Sequence, residues 1–387
     1  MTSYDVGIIG GGVHGASAAF HLGGRGVSTV LLERGEAAGG PTGLSSAVCR
    51  AYYTNPFLAR VARASLDMLA DFPDHTGGRD AGFQRTGALF LHGPEDLASV
   101  RTAAAEMASI GTHVEVLDEL ELARRFPRLT VDDLGCGAWE PGAGYADPVD
   151  TTAGMLARAR ELGVEVRLRT AVERLVHLDG GRGTELHLGD GQVVTVGKLL
   201  IAAGPWTGAL AAQVGVRLPL TVERHIVAMA GWGDTEPVGF AFADVRKGYY
   251  ARPEGGEQLL MGPLTPEPEL DDPDRFDDRL HDDEAVGLIQ KVVERAPSLD
   301  GLQPRGGWAS LYDVSPDWQP VIGEVADGVY VDAGTSGHGF KLAPDLGRHV
   351  VDLLMGEPDP GLADFSPERF TVGGGLSSGY GDARILG

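Results

Sequence analysis

Residues 5–15 read DVGIIGGGVHG, and the chain continues as ASAAFHLGGRG to residue 26. The short apolar run from Asp5 to Gly10 has the character of a strand covered on both faces by other elements. Glycines at 10, 11, 12 and 15 then turn the chain, and the alanine-rich stretch behind them reads as a helix. The next segment, STVLLE, is a second strand that ends on Glu33, eighteen residues beyond Gly15. In this order, the glycines let backbone approach a pyrophosphate and let helix pack on strand, while the acid accepts hydrogen bonds from an adenosine ribose. The pattern predicts a parallel α/β unit that binds a dinucleotide through Gly10, Gly12, Val13, Gly15 and Glu33. His14 sits at a variable position of the same loop and is expected there as a bystander.

Composition narrows the class. The chain has 387 residues, 43% of them hydrophobic, which is enough for a sizeable core and two or three interleaved units. A net charge of −23 repels phosphate backbones and anionic lipid surfaces, so nucleic acid and membrane are poor partners. Cys49 and Cys136 are the two cysteines and form no CxxC pair, which points away from a disulfide framework and fits a reducing cytoplasm. The N-terminus runs straight into a strand without the basic and apolar regions of a signal peptide, and no apolar run reaches membrane-spanning length, so a soluble cytoplasmic protein is expected.

The segment after Glu33 decides which dinucleotide. GEAAGGPTGLSSAVCR, Gly35 to Arg50, replaces the next regular strand-helix unit with a second glycine-rich patch. Such a patch lays further backbone donors along an extended cofactor, which favours FAD over NAD. Six stretches, GGGVHGASAAFHL, SSAVCRAYYTNPFLARVARASLDML, GYADPVDTTAGMLARARELGVEVR, LLIAAGPWTGAL, WASLYDVSPDWQPVIG and GTSGHGFKLAP, follow one another along nearly the whole chain. In content, order and spacing they resemble the FAD-dependent amine oxidoreductases that include sarcosine oxidase, glycine oxidase and D-amino acid oxidase, most closely the sarcosine oxidase branch.

The resemblance implies an α/β (α+β) architecture: a Rossmann-like FAD-binding domain of the glutathione reductase type, interleaved with a substrate domain built on an antiparallel sheet. Periodicity agrees, assigning residues 1–80, 145–215 and 318–387 to FAD and 81–144 and 216–317 to substrate. The apolar run KLLIAAG is expected to rejoin the parallel sheet, and the alternating segments GALFLHG, TVERHIVAMA, FAFADV, GYYARP and QLLMGP to form the antiparallel one. The acidic run Asp271 to Ala285 reads as a solvated loop before a helix, and the tail GGGLSSGYG, from Gly373, as loosely ordered.

In the resembling enzymes, the stretch GTSGHGFKLAP presses small residues and a helix N-terminus against the flavin ring, which would make Gly334, Gly337 and Gly339 contact points beside His338 and Phe340. The remaining cofactor contacts implied are Arg34, Thr42, Ser45, Ser46 and Ala47 from the second glycine patch, and Val172, Ala203, Gly204 and Trp206 from the middle of the chain. Lys341 then lies near both cofactor and substrate, where it would hold a carboxylate together with Arg50, whose planar fork suits both oxygens. Tyr250 and Tyr312 fall where the family places aromatic rings beside the substrate amine.

Departures from the family pattern carry information too. Ser310 stands at the position of the cysteine that tethers the flavin in monomeric sarcosine oxidase, so non-covalent FAD is expected. Leu260 replaces the lysine that promotes reaction with dioxygen, and Leu264 replaces a pocket histidine, which points to a substrate other than sarcosine. No metal or nucleophile motif is present. The reading is oxidation of the C–N bond of an amino acid or N-substituted, including cyclic, amino acid by hydride transfer to flavin, with dioxygen or another acceptor taking the electrons. Two rivals stay open: a 2-hydroxy acid dehydrogenase, and a non-catalytic FAD-binding subunit. Oligomeric state is left open.

Overall fold

A computed structural model describes residues 2–178, 180–371 and 373–376. Its first sheet is organised around the opening strand, Thr2–Ile9, which lies between Thr29–Leu32 and Val193–Ile201 and runs parallel to both. Parallel pairing continues outward to Glu165–Arg167 on one side and Val329–Ala333 on the other, and Val321–Ala326 closes that edge antiparallel. Burial explains the composition. Ile8, Val30, Leu31, Val196, Leu199, Leu200 and Ile201 are fully covered, as strands sandwiched between layers must be. The run KLLIAAG thus enters the parallel sheet beside the first strand.

Helix Val13–Gly24 follows the first strand and packs against the helices Pro148–Glu161 and Gly339–Leu354. Its alanines permit that closeness: Ala16, Ala18 and Ala19 are completely buried. Ser17 donates to the Pro344 carbonyl at 3.1 Å, binding the glycine-turn helix to the C-terminal one although the two lie some three hundred residues apart in sequence.

The second sheet has eight strands in the order Gln303–Val314, Thr221–Gly231, Gln258–Pro263, Tyr249–Glu254, Ala241–Asp244, Ala88–His92, Cys136–Glu140 and Glu115–Leu117. It is antiparallel except where Ala88–His92 and Ala241–Asp244 pair in parallel, an exception that alternation alone does not reveal. Helix Asp282–Arg295 covers one face through Ala285, Leu288 and Val292. Ala88, Phe90, Ala241 and Ala243 of this sheet pack in one core with residues of the helices Val13–Gly24 and Gly339–Leu354. The acidic run divides: residues 271–281 form no helix, and the helix begins at Asp282, with Glu284 accepting from the His281 backbone N–H at 2.8 Å. Past Gly356 the chain makes short 3₁₀ turns at Pro360–Phe365 and Pro367–Phe370, with Leu362 and Phe365 buried, so this part of the tail is packed. The segment read as loosely ordered lies outside the described residues from Ser377 onward. Among the described residues no helix is long and apolar enough to cross a membrane.

Candidate active site

A cavity of 560 Å³ is lined by residues of both sheets and extends from Glu33 to Tyr312. At one end Glu33, on the loop after the second strand, accepts from the Gly11 and Gly35 backbone N–H groups, each at 2.6 Å. Its carboxylate keeps lone pairs for ribose hydroxyls. Arg34 lies 4.0 Å from the centroid of the Trp206 ring, and Asp274 of the acidic loop accepts from both the Arg34 guanidinium and Trp206 Nε1 at 3.0 Å. Val172, Ala203 and Gly204 complete this end.

In the middle of the cavity Thr42 Oγ1 accepts from the Val13 N–H at 3.2 Å, drawing the second glycine patch onto the first. His14 is no bystander: its Nδ1 lies 2.9 Å from Asp332 Oδ2, at the end of the strand that leads into the C-terminal glycine segment. Burial works against the imidazolium, but the carboxylates of Asp332 and Asp313 outweigh it and raise the His14 pKa.

Two helices begin at this space, Val13–Gly24 and Gly339–Leu354, and neither is capped by the side chain of its own N-cap residue, the Val13 N–H being taken by Thr42. His14 Nε2, Asp332 Oδ1 and Ser310 Oγ are buried and unpartnered while lining it. Such a row of unsatisfied donors and acceptors along an elongated cavity fits a dinucleotide, which would satisfy them. Glycine is needed where the walls are tightest: a Cβ at Gly339 would lie 2.7 Å from Thr335 Oγ1 and 2.8 Å from His14 Nε2.

At the far end, Arg50, Lys341, Tyr250 and Tyr312 line the cavity with Phe90, Leu264, His225 and Ser310. Arg50 is 2% exposed; it donates to the Tyr52 carbonyl, and its guanidinium lies 4.3 Å from the Tyr53 ring centroid. The loop that holds it is pinned by Glu140, which accepts from the Ala51 and Tyr52 N–H groups at 2.8 and 3.1 Å. Burial pushes the Glu140 carboxyl up to about 7, against the pull of those bonds and of Arg50. Lys341, at the start of the C-terminal helix, has its pKa lowered to about 7, by burial first and by the charge of Arg50 second. Burial raises the pKa of both Tyr250 and Tyr312.

Of the residues singled out from sequence, Gly15, Ala47, Gly334 and His338 do not line the cavity. A Cβ at Gly15 would strike the Gly10 carbonyl, so that glycine serves helix-strand contact. Ala47 adopts φ +50° within the turn between Ser46 and Val48, and the Gly334 N–H donates to Asp313 at 2.6 Å. The His338 ring is buried against Tyr53. Leu260 is also absent from the lining; it pairs across strands with Arg252, whose buried guanidinium donates through Nε to the Ser46 carbonyl at 2.5 Å. Lys247 is turned outward to Glu294 at 2.6 Å. Sequence reading missed Phe90, His225, Glu140, Asp313 and Asp332. For His225 a signal existed, since the spacing Glu223-x-His225 on a strand sets both side chains on one face.

The chain matches the FAD dependent oxidoreductase (DAO) family over residues 5–353. It is 28% identical over 394 aligned positions to a monomeric sarcosine oxidase of Streptomyces avermitilis, covering 96% of this chain and 98% of that one. A glycine oxidase of Geobacillus kaustophilus is 26% identical, with 95% and 97% covered. Among solved structures, the L-proline dehydrogenase of P. horikoshii superposes with a TM-score of 0.87 at 21% identity, covering 97% of this chain and all of that one, and so shares the fold.

Proposed function

Since the chain belongs to the FAD dependent oxidoreductase family and is an FAD-using oxidoreductase, we propose that it oxidises the C–N bond of a small amino acid or N-substituted amino acid. The observation that carries this reading is the pair of buried cations, Arg50 and Lys341, facing one cavity closely enough for one to depress the pKa of the other. A substrate carboxylate would sit between the two and relieve their repulsion. Bound FAD supplies a hydride acceptor. The chain does the positioning: Arg50 and Lys341 hold the carboxylate, Tyr250 and Tyr312 flank the amine, and Leu264 and Phe90 exclude water. Non-covalent attachment follows from Ser310, and the two buried, free cysteines fit a reducing compartment such as the cytoplasm.

The test is anaerobic addition of sarcosine, glycine and L-proline, alongside the corresponding 2-hydroxy acids, while flavin absorbance is followed. Bleaching by amines and not by hydroxy acids supports the proposal; bleaching by hydroxy acids alone favours the alcohol-oxidising reading, and no bleaching by any favours a non-catalytic subunit. Mixing the bleached protein with dioxygen then separates oxidase from dehydrogenase. With Leu260 in place of a lysine, slow reoxidation is expected, unless Arg252 beneath Ser46 supplies the charge.

A further inference from the structure

His225 lies on the strand Thr221–Gly231, one in from the edge of the second sheet, and is 3% exposed while lining the cavity. Its Nε2 is 3.0 Å from Glu223 Oε2, and the same carboxylate oxygen accepts from the Glu267 N–H at 2.9 Å. Its ring is stacked on Tyr312, with centroids 3.9 Å apart and planes 16° from parallel. Its Nδ1 is buried and has no partner. The contact with Glu223 assigns the ring proton to Nε2, which leaves the Nδ1 lone pair directed away from the carboxylate. Ser310, directly across the strand pair from His225, adds a second buried, unpartnered polar atom on the same wall.

Resting on the amine-oxidation reading above, we propose that His225 is the proton acceptor for the substrate ammonium and that Glu223 is its positioning residue. An amino acid carries a charged ammonium at neutral pH, and hydride loss from the adjacent carbon requires the nitrogen lone pair. The N–H bond breaks with its electron pair left on the substrate nitrogen, the proton bonds to Nδ1, and the imidazolium so formed faces the Glu223 carboxylate. The substrate then holds the neutral amine beside Tyr312, and no other reactant is consumed.

The alternatives around the site are less suited. Burial drives the phenols of Tyr312 and Tyr250 upward, away from proton acceptance at neutral pH. Lys341 is a cation while it holds the carboxylate. Asp332 is engaged with His14, and Asp313 accepts from the Gly334 N–H. The charged or titratable groups around His225 are Glu223 on its own strand, Tyr312 on the neighbouring one, and Glu267 on the segment that bonds Glu223; the Glu267 pKa is raised, by burial above all.

The experiment follows anaerobic flavin bleaching by stopped flow from acid to alkaline pH, using whichever of sarcosine, glycine and L-proline reacts fastest with the FAD-loaded protein. The parent rate should rise with pH through a single break. In His225→Gln the rate at neutral pH should fall about 10²-fold and recover in alkali, where solvent deprotonates the amine. Glu223→Gln should move the break to lower pH. Binding of furan-2-carboxylate, which has no amine, should be unchanged in both variants, separating a proton role from loss of structure. If His225→Gln does not fold, the shift in Glu223→Gln decides. An unchanged pH profile in the variants overturns the assignment while leaving amine oxidation intact; absence of bleaching by all three amines overturns the amine reading itself.

Discussion

Arg50 and Lys341 show how a local environment changes the behaviour of two ordinary side chains. Each is a surface residue by composition, yet both are buried at one end of the cavity, and their mutual repulsion is what an anionic ligand would relieve. Replacing Arg50 with Ala should weaken binding of a small carboxylate by about 2–5 kcal/mol, the range for removing one partner of a buried charge contact, with FAD content unchanged. The pH dependence has a definite sign. Because the Lys341 pKa is lowered to about 7, the free protein carries that cation below this value and loses it above. Affinity for furan-2-carboxylate should therefore be highest in acid and fall as pH rises through about 7, and titration of Lys341→Met should lack that fall. Both can be read from the flavin spectrum.

Among elements, the strand-turn-helix from Val329 to Leu354 does most to define the site. The strand delivers Asp332 to His14, the turn passes through Gly334 and Gly337 at positive φ, and the helix opens its N-terminus onto the cavity. Gly337 has φ +83°, and a Cβ there would sit 2.5 Å from the Tyr312 ring. Gly337→Ala should cost about 1–3 kcal/mol of stability, the scale of a forced left-handed residue, and should also displace Tyr312. Thermal unfolding with and without furan-2-carboxylate checks both parts: a lower melting temperature and a smaller ligand-induced rise. An alanine variant as stable and as ligand-responsive as the parent would show that the turn has room to relax.

On the scale of the whole molecule, the cavity is lined by segments spread between Ile9 and Lys341, so its shape belongs to the folded chain as a unit. Ser310 offers a hydroxyl where the family's tether is a thiol, and a hydroxyl is the poorer nucleophile. Acid precipitation should therefore release all of the yellow colour into the supernatant. Colour retained in the pellet would mean a covalent link, and His225, across the strand pair from Ser310, would be the first residue to examine in the labelled peptide.

The sequence by itself determined the features that depend on neighbours along the chain. Apolar run, glycine turn, alanine helix and terminal acid from Asp5 to Glu33 specify a dinucleotide-binding βαβ start because each step is a local steric or hydrogen-bonding requirement. Two-residue alternation likewise announced a second, largely antiparallel sheet. Tertiary structure alone decided what depends on distant partners. That His14 meets Asp332, that Arg252 rather than Leu260 brings charge to Ser46, and that His225 stacks on Tyr312 with one nitrogen left unpaired all follow from pairings between strands far apart in sequence. Register and burial set these contacts, and neither is written in the spacing of any single segment.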